Sequence, residues 1–411
     1  MLSDNEKQVL RELAGRLMEI AALPEQKERI ALWLSLNRGQ MQRPMVAIAQ
    51  LPWHEMDFDG SLTCVVGDPF WREVETEMRR QLYRWAHIRT DMVIEPFIDI
   101  PMSVSGINYG LDVIEKSRVI DETNDVYSHQ YVEQIKDYDD IGKIHDMRVI
   151  HDAETTKAHM EQAAELFDGV APVRPKGVQF SLSVWDRLST FIGVQNIYYF
   201  VADRPEFLTR CVDHITDATI AGIKRADELG VYDNFANICH CSYIYTDDLL
   251  PGPNMPQKSG IAGSWAFGMA QLFSSVSPAT FRDFELPYIK KMAAMFGSIY
   301  YGCCEPLDDR LDLVKQIPNV RKVSCSPWNN SDKFAERIGP KLTMSVKPNP
   351  AILASGGFDD AQARAELGKY IASAKRYDVN LEFIMKDVST VSYKPECISR
   401  WTDIAKEMVC A

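Results

Sequence analysis

Short apolar segments alternate with long amphipathic segments along most of this chain of 411 residues. The apolar segments have the length and composition of buried strands, and the longer ones repeat apolar residues at helical spacing. Strands that alternate with helices form parallel sheets, and eight such strands close a barrel. The pattern therefore predicts a (β/α)8 TIM barrel with these strands: Met45–Ala49, Met92–Ile98, Gly177–Leu182, Phe235–Ile244, Ser298–Cys303, Arg321–Cys325, Leu342–Val346 and Leu381–Met385.

Two helices are predicted before the first strand, at Asn5–Ala21 and Glu25–Leu36. Ser3 is a suitable N-cap for the first helix, and Pro24 separates the two. We interpret residues 1–42 as an N-terminal helical extension and residues 43–411 as the barrel.

Two further segments interrupt the alternation of the barrel. Residues 110–170 are irregular and charged, which predicts an insertion. Leu250–Gly260 contains three prolines and two glycines, which are typical of a loop. After the fourth predicted strand, such a loop would lie on the catalytic face, where it could act as a lid.

Composition excludes several classes of function. A net charge of −13 argues against nucleic-acid binding and against anionic membrane surfaces, because both require an excess of Lys and Arg. No apolar run is long enough to span a bilayer, and no leader peptide is recognisable. Nine irregularly spaced cysteines in a chain of this length predict reduced thiols and a cytoplasmic protein.

Thiol-bearing residues follow two neighbouring predicted strands. Cys303, Cys304 and Glu305 end one strand, and Cys325 ends the next. Side chains at the carboxyl ends of barrel strands face the active site, and thiolates are ligands for soft metals such as zinc. Free cysteines are also often small buried apolar residues, and that alternative stays open.

Other strand ends supply titratable and aromatic candidates. Asp99 ends an apolar strand, so it is a candidate for catalysis or for a helix cap. His240 lies between two cysteines, either as a catalytic or metal-binding imidazole or as a hydrogen-bonded structural one. The candidates for substrate binding are a set of aromatic and basic residues, each of which could equally pack in a core: Trp53, His54, Trp265, Trp328 and Lys347.

Several motifs resemble the uroporphyrinogen decarboxylase superfamily. Phe97–Gly110 resembles its strand that ends in an aspartate and is followed by small residues. Ser277–Tyr288, which begins Ser-Pro and ends Pro-Tyr, is similar to a characteristic helix of the family. Leu188–Gly193, Asp203–Glu206 and Lys347–Pro350 are similar to further family segments. The resemblance extends over roughly residues 40–405.

The resemblance implies a (β/α)8 barrel with one of two chemistries. One is cofactor-free decarboxylation, and the other is zinc- and corrinoid-dependent methyl transfer. The zinc-dependent branch has a His-x-Cys pair where this chain has Tyr301-Gly-Cys303, so Cys303 matches a ligand and Tyr301 replaces the histidine. Asp387 stands near the position of a further cysteine, and related methionine synthases place a carboxylate ligand near Cys325. The metal-ligand pool is therefore Cys303, Cys304, Cys325, His240 and Asp387.

The resemblance favours the methyltransferase branch, because Leu51–Met56 lacks the arginine-rich motif that decarboxylases use for propionate groups. We expect a component that moves a methyl group between a small methyl ether or methylamine and a corrinoid carried by a partner protein. Zinc would assist, and Asp99, His240 or Glu305 would handle protons. A homodimer is also expected by resemblance.

Two alternatives remain. The chain could be a cofactor-free lyase that uses Asp99 and Lys347 on another acid. It could also be a degenerate barrel that is retained as a binding subunit.

Overall fold

A computed structural model describes residues 2–118, 128–249, 260–355 and 357–411. In these residues, strands and helices alternate along most of the chain. The strands are β1 (Met45–Ile48), β2 (Ile98–Pro101), β3 (Val104–Ser105), β4 (Glu115–Arg118), β5 (Ser128–Tyr131), β6 (Ile150–His151), β7 (Val173–Lys176), β8 (Ile238–Cys239), β9 (Ser242–Tyr243), β10 (Trp265–Gly268), β11 (Ser298–Tyr301), β12 (Val320–Cys325), β13 (Thr343–Val346) and β14 (Asn380–Met385).

The helices are α1 (Asp4–Ala21), α2 (Pro24–Asn37), α3 (Pro69–His87), α4 (Ala153–Leu166), α5 (Val184–Ile192), α6 (Val194–Asp203), α7 (Pro205–Glu228), α8 (Pro278–Phe284), α9 (Leu286–Ala293), α10 (Leu311–Val314), α11 (Ser331–Ile338), α12 (Ala351–Ala354), α13 (Asp360–Tyr377) and α14 (Glu396–Cys410). The helices α8 and α9 are divided at Glu285 because Pro287 cannot donate a helical hydrogen bond. Among the described residues, no helix is long and apolar enough to cross a membrane.

A curled parallel sheet forms the centre of the molecule. Six strands pair in the order β1, β14, β13, β12, β11 and β10 within the described residues. Most of their side chains are buried, as expected for a parallel sheet that is covered on both faces. One apolar cluster fills the space between this sheet and helices such as α13 and α14, and a second fills its concave side.

The strands β2 and β7 form a second, separate parallel pair. Ser181 forms a parallel bridge to Phe267 of β10, and Val178 forms one to Tyr232. On the other side, the backbone N–H of Asp91 donates to the carbonyl oxygen of Val46 in β1. The predicted mixed α/β fold with a parallel sheet is confirmed.

The prediction of a fourth barrel strand at Phe235–Ile244 is wrong. This segment contains the short antiparallel hairpin β8–β9, and Trp265–Gly268 supplies the sheet strand instead. The hairpin turns at His240, whose φ of 58° is incompatible with an extended strand. The second and third predicted strands are displaced, because the paired residues are Ile98–Pro101 and Val173–Lys176.

Residues 110–170 are less irregular than predicted. Their described part includes hairpin strands β4 and β5, and helix α4 packs against β2 and β7. Asp152 caps α4 by accepting the backbone N–H of Thr155, which starts a regular helix within this charged segment.

The two predicted N-terminal helices are confirmed as α1 and α2. Helix α2 is attached to the concave side of the sheet by Trp33, which donates to the carbonyl of Asp91, and by Asn37, which donates to the carbonyls of Tyr243 and Tyr245. Of the predicted lid, Leu250–Gly260, all but Gly260 lies outside the described residues.

Candidate functional site

The carboxyl ends of β11 and β14 bring two cysteines and an aspartate together. The Sγ atoms of Cys303 and Cys304 are 3.6 Å apart, and Cys304 donates a hydrogen bond of 2.9 Å to Asp387. One ligand atom from each of these three residues lies within 4.8 Å of the others. Cys303 is buried, Cys304 is half-buried and Asp387 is exposed, so the cluster opens to solvent at Asp387.

Left-handed backbone conformations build this thiol cluster. Gly302, with φ of 89°, turns the chain out of β11, and a Cβ there would lie 2.6 Å from Cδ1 of Leu307. His240 and Asp387 have φ values of 58° and 56°. Such conformations are costly for residues with a side chain and are concentrated at functional sites.

Two nitrogen groups surround the Cys303 sulfur. Lys386, at the end of β14, donates a hydrogen bond of 2.8 Å to Sγ of Cys303, and its Nζ atom lies 3.0 Å from Nε2 of His240. Nε2 of His240 is 3.7 Å from the same sulfur. The hairpin β8–β9 and the sheet therefore meet at Cys303.

These contacts favour a thiolate at Cys303. The contact with Cys304, together with His240 and the charge of Lys386, outweighs the effect of burial and lowers the pKa of Cys303 to about 5. The same coupling raises the pKa of Cys304. Burial alone would lower the pKa of Lys386, but the charge of Cys303 raises it. At neutral pH the cluster is a thiolate beside an ammonium, with the second thiol protonated.

The imidazole of His240 is held in an aromatic environment. Its ring stacks on Phe267 of β10 with centroids 3.8 Å apart and an angle of 7° between the planes. Burial and the neighbouring charge of Lys386 lower the pKa of His240, so it is neutral at neutral pH. A neutral imidazole can accept the hydrogen bond of Lys386 or bind a metal ion.

A buried ion pair fixes the hairpin that carries His240. Nζ of Lys322 is 2.7 Å from the carboxylate of Glu382, and both side chains are completely buried. Lys322 also donates to Oγ of Ser242 and to the carbonyl of Tyr243, while Ser242 hydrogen-bonds with Glu382. These bonds join β9 to the concave side of the sheet.

Buried carboxyl groups lie next to the cluster. Glu305 accepts the backbone N–H of Cys303 at 2.9 Å, and its other carboxylate oxygen has no hydrogen-bond partner among the described residues. Burial raises the pKa of Glu305 and of Glu285. Burial and the charge of Glu305 raise the pKa of Asp186 to about 7. Glu305 is thus a buried acid directly beside Cys303.

Tyr301 does not occupy the position of a ligand. Its hydroxyl donates to Glu285, and its ring packs in the apolar cluster between the sheet and the helices. Alternation would place Tyr301 and Cys303 on the same face, but Gly302 breaks the extended strand between them. The nearby imidazole comes from His240 instead.

Cys325 is also not brought to the cluster. It is fully buried in the apolar cluster between the sheet and the helices, here called the outer apolar cluster, which also contains Tyr301. Burial raises the pKa of Tyr370 in α13, and the Cys325 sulfur is close enough to raise it further. Burial raises the pKa of Cys325, so it is a protonated thiol. Its environment is that of a small buried apolar residue.

Asp99 lies in a separate polar region. Its carboxylate accepts hydrogen bonds of 2.5 and 3.3 Å from Arg174, which also donates to Glu95. This arginine is the counterion of Asp99, so the predicted proton donor is engaged in an ion pair away from the thiols.

The predicted aromatic residues do not form one pocket. Trp53 packs against Tyr83 and lies under the guanidinium groups of Arg80 and Arg84 on α3. Trp328 is 71% exposed after β12.

Trp265 and His54 are also apart from the thiols. Trp265 is buried at the start of β10, two residues before Phe267. His54 lies 3.5 Å from Glu55, which accepts hydrogen bonds from Thr390 and Val391 in the loop after β14.

Lys347 is buried on the concave side of the sheet. Its ammonium donates to the hydroxyls of Tyr300 and Ser345. The hydroxyl of Tyr300 in turn is 3.5 Å from Sγ of Cys241. Lys347 is therefore part of an internal hydrogen-bond network.

Sequence reasoning assigned no role to Lys386 and did not link Phe267 to His240. Lys386 ends a predicted strand next to Asp387, so its position was a usable signal. The stacking of Phe267 on His240 could not be found, because Trp265–Gly268 was not recognised as a strand.

The donor atoms of the cluster fit a soft divalent metal. Zinc binds cysteine sulfur and carboxylate oxygen, and the distances within the set are those between ligands of one ion. His240 offers a nitrogen next to Cys303. Lys386 already occupies one side of the Cys303 sulfur, so a bound metal would compete with its ammonium.

The fold resembles that of a methyltransferase from Methanosarcina mazei. The two structures align with a TM-score of 0.52 over 93% of this chain and 98% of that chain, at 13% sequence identity. At this identity the likeness concerns the fold. No protein-family model and no curated protein matches the sequence.

Proposed function

We propose that this protein is a methyltransferase whose reaction centre is the thiol cluster of Cys303, Cys304 and Asp387. The observation that carries the proposal is the position of the Cys303 sulfur, which lies 2.8 Å from Nζ of Lys386 and 3.7 Å from Nε2 of His240 at the carboxyl ends of parallel strands. The fold shared with an archaeal methyltransferase supports it. We further propose that the curled sheet, β2–β7 and the segment around Ser181 together make a (β/α)8 barrel of the uroporphyrinogen decarboxylase superfamily.

Zinc is the metal we propose for the cluster. Cys303, Cys304 and Asp387 would hold it, with His240 as a further donor. When bound, zinc supplies a Lewis acid for the oxygen, nitrogen or sulfur atom at the methyl junction.

The residues of the chain prepare this centre in three ways. Cys304, His240 and Lys386 together keep Cys303 in the thiolate form, which is the form that binds metal or attacks carbon. Phe267 fixes the plane of His240, and the Lys322–Glu382 pair fixes the hairpin behind it. Glu305 holds the backbone of Cys303 and can keep a proton beside the reacting group.

A corrinoid carried by a partner protein is the second methyl carrier in this proposal. The partner would dock at the carboxyl ends of the strands, where the cluster opens at Asp387. A methyl ether or a methylamine would be the other substrate. We also propose a cytoplasmic protein, on its irregularly spaced cysteines, and a homodimer, on the superfamily resemblance.

The lyase alternative has less support, because Asp99 is paired with Arg174 and Lys347 is bonded within the sheet interior. The binding-subunit alternative also has less support, because His240 and Asp387 keep costly left-handed conformations at the cluster, which are typical of functional sites.

The proposal is tested by incubating the zinc-loaded protein with a reduced Co(I) corrinoid and a panel of methyl ethers and methylamines. Formation of methyl-Co(III), followed by its absorbance spectrum, supports methyl transfer. Release of carbon dioxide from carboxylic acids without any methyl-Co(III) would instead support the lyase.

A further inference from the structure

The two adjacent cysteines of the thiol cluster are placed for a covalent bond to each other. Cys303 and Cys304 are both free thiols, and their Sγ atoms are 3.6 Å apart. A disulfide bond is about 2.05 Å long, so the two sulfurs need to close by only about 1.5 Å. The pair is therefore a candidate site of oxidation as well as of metal binding.

One sulfur of the pair has the surroundings of a reactive thiol. The ammonium of Lys386 lies 2.8 Å from Sγ of Cys303, and Nε2 of His240 lies 3.7 Å from it. A cationic neighbour favours the thiolate, and the thiolate is the form that oxidants attack. Cys303 itself is buried, but the cluster opens to solvent through half-buried Cys304 and exposed Asp387. A small oxidant such as hydrogen peroxide would reach the sulfur from this side.

The second sulfur has an acceptor for its proton. Cys304 donates a hydrogen bond of 2.9 Å to Oδ2 of Asp387. A thiol that attacks another sulfur must first lose its proton, and this carboxylate is placed to take it. A reactive cysteine with a resolving cysteine next to it is the arrangement of redox-sensing sites.

A bond between these adjacent residues would also be easy to reduce. Neighbouring Cα atoms are about 3.8 Å apart across a trans peptide, whereas the Cα atoms of disulfides are usually about 4.4–6.8 Å apart. Such a deviation stores strain, and strained or exposed disulfides have the higher reduction potentials of labile, regulatory bonds. The bond would therefore be reversible rather than structural.

We propose that Cys303 and Cys304 are a site of reversible oxidation by hydrogen peroxide, which joins them in a vicinal disulfide. The thiolate of Cys303 attacks one peroxide oxygen, the O–O bond breaks, and solvent protonates the leaving hydroxide, so that a sulfenic acid and water result. Asp387 then takes the proton of Cys304, whose sulfur attacks that of Cys303. The S–S bond forms, the S–O bond breaks, and the hydroxide leaves with that proton as water. Two electrons pass from the sulfurs to one peroxide, and an external dithiol returns them.

The disulfide would act on the proposed reaction centre itself. Cys303 and Cys304 supply two of the three donors of the metal cluster, and a disulfide no longer offers them as thiolate ligands. Oxidation would release zinc and stop methyl transfer until the bond is reduced. This regulatory role rests on the proposed function, whereas formation of the bond does not.

The test is mass spectrometry of the metal-free full chain, treated with hydrogen peroxide, blocked at its free thiols and digested with trypsin. Cleavage after Lys291 and Arg310 releases a peptide in which Cys303 and Cys304 are the only cysteines. We expect this peptide to lose two hydrogen atoms and to regain them with dithiothreitol. A disulfide within it can only join these two residues.

Three variants assign the roles of the two sulfurs. Cys304→Ser should stop at a sulfenic acid on Cys303, which dimedone traps. Cys303→Ser should slow the oxidation of Cys304 by about tenfold or more, because the reactive thiolate is absent. Cys64→Ser is the matched control and should form the disulfide at the rate of the unmodified protein. Cys64 is half-buried like Cys304, but its sulfur contacts the hydroxyl of Thr76.

The proposal is overturned if the peptide keeps both thiols in peroxide, if oxygen accumulates on Cys303 while Cys304 stays a thiol, or if the sulfurs join two chains. Its regulatory part is overturned if the oxidised chain, freed of peroxide, binds as much zinc as the reduced chain. A disulfide in a protein without any methyl transfer would refute the proposed reaction alone. Methyl transfer by a protein that never forms the disulfide would refute this inference alone.

Discussion

The ammonium of Lys386 lies 2.8 Å from the sulfur of Cys303 and 3.0 Å from Nε2 of His240, so one cation connects a thiolate and an imidazole that are 63 residues apart in the chain. Together with the contacts from Cys304 and His240, this cation favours the ionised form of the buried Cys303. It also creates a competition, because a metal ion and Lys386 would share the same sulfur.

The ionisation of Cys303 can be measured in metal-free protein. The absorbance of the thiolate, taken as the difference between the unmodified protein and Cys303→Ser, should titrate with a pKa of about 5. The thiolate is then present at neutral pH and is lost only as the pH falls through about 5. Lys386→Met should raise this pKa by about 1–3 units, because the stabilising charge is removed. A titration near the ordinary pKa of cysteine would contradict the account, and exposed Lys375→Met is the control.

Metal content distinguishes the cysteines. Protein purified without chelator and loaded with zinc should hold about one ion per chain. Cys303→Ser, Cys304→Ser and Asp387→Asn should each reduce this content, because each removes one donor of the cluster. Cys325→Ala should retain zinc, since its sulfur is buried in the outer apolar cluster. If Cys304→Ser retained zinc and Cys325→Ala lost it, Cys325 and not Cys304 would be the zinc ligand.

The buried pair Lys322–Glu382 should be important for stability. Glu382→Gln leaves a buried ammonium without its counterion, and we expect the free energy of unfolding to fall by about 3–5 kcal/mol. Asp217→Asn, in the exposed pair with Lys291, should cost less than about 1 kcal/mol. Urea denaturation of both variants checks this. Equal losses would mean that the buried pair does not fix the hairpin as described.

Asp186 should make stability depend on pH. Its pKa is about 7 in the folded protein because of burial and the charge of Glu305, and 3.8 is its ordinary value. The folded state therefore binds more protons between these values, and stability falls as the pH rises toward about 7. Asp186→Asn does not titrate, so its stability relative to the unmodified protein should rise by about 2 kcal/mol from about pH 5.5 to about pH 8. If the difference in stability does not change with pH, the pKa of Asp186 is not raised in the folded protein.

Much of the fold could be predicted because parallel strands are continuous apolar runs. Leu342–Val346 and Leu381–Met385 differ from β13 and β14 by one residue. Strand β10 (Trp265–Gly268) was not predicted, because its four residues follow a proline-rich loop and resemble a continuation of it. Phe235–Ile244 was wrongly predicted as a strand, since its second half is apolar and is buried as a hairpin on the concave side of the sheet.

The candidate site could be predicted only in part. Cys303, Cys304 and Asp387 follow strands, and strand ends converge in a parallel sheet. The approach of His240 to Cys303 depends on a turn in the hairpin and on hydrogen bonds to Lys322 and Glu382 that are distant in sequence. The ion pair of Asp99 with Arg174 likewise depends on the register of β2 and β7.

The most direct measurement is methyl transfer by Cys303→Ser and Cys325→Ala with the same zinc loading, corrinoid and methyl donor. The account predicts that the unmodified protein and Cys325→Ala convert Co(I) to methyl-Co(III) at similar rates, whereas Cys303→Ser is slower by about two orders of magnitude or more. Equal activity of Cys303→Ser and the unmodified protein, or no methyl transfer by a zinc-loaded protein with any methyl ether or methylamine, would contradict it.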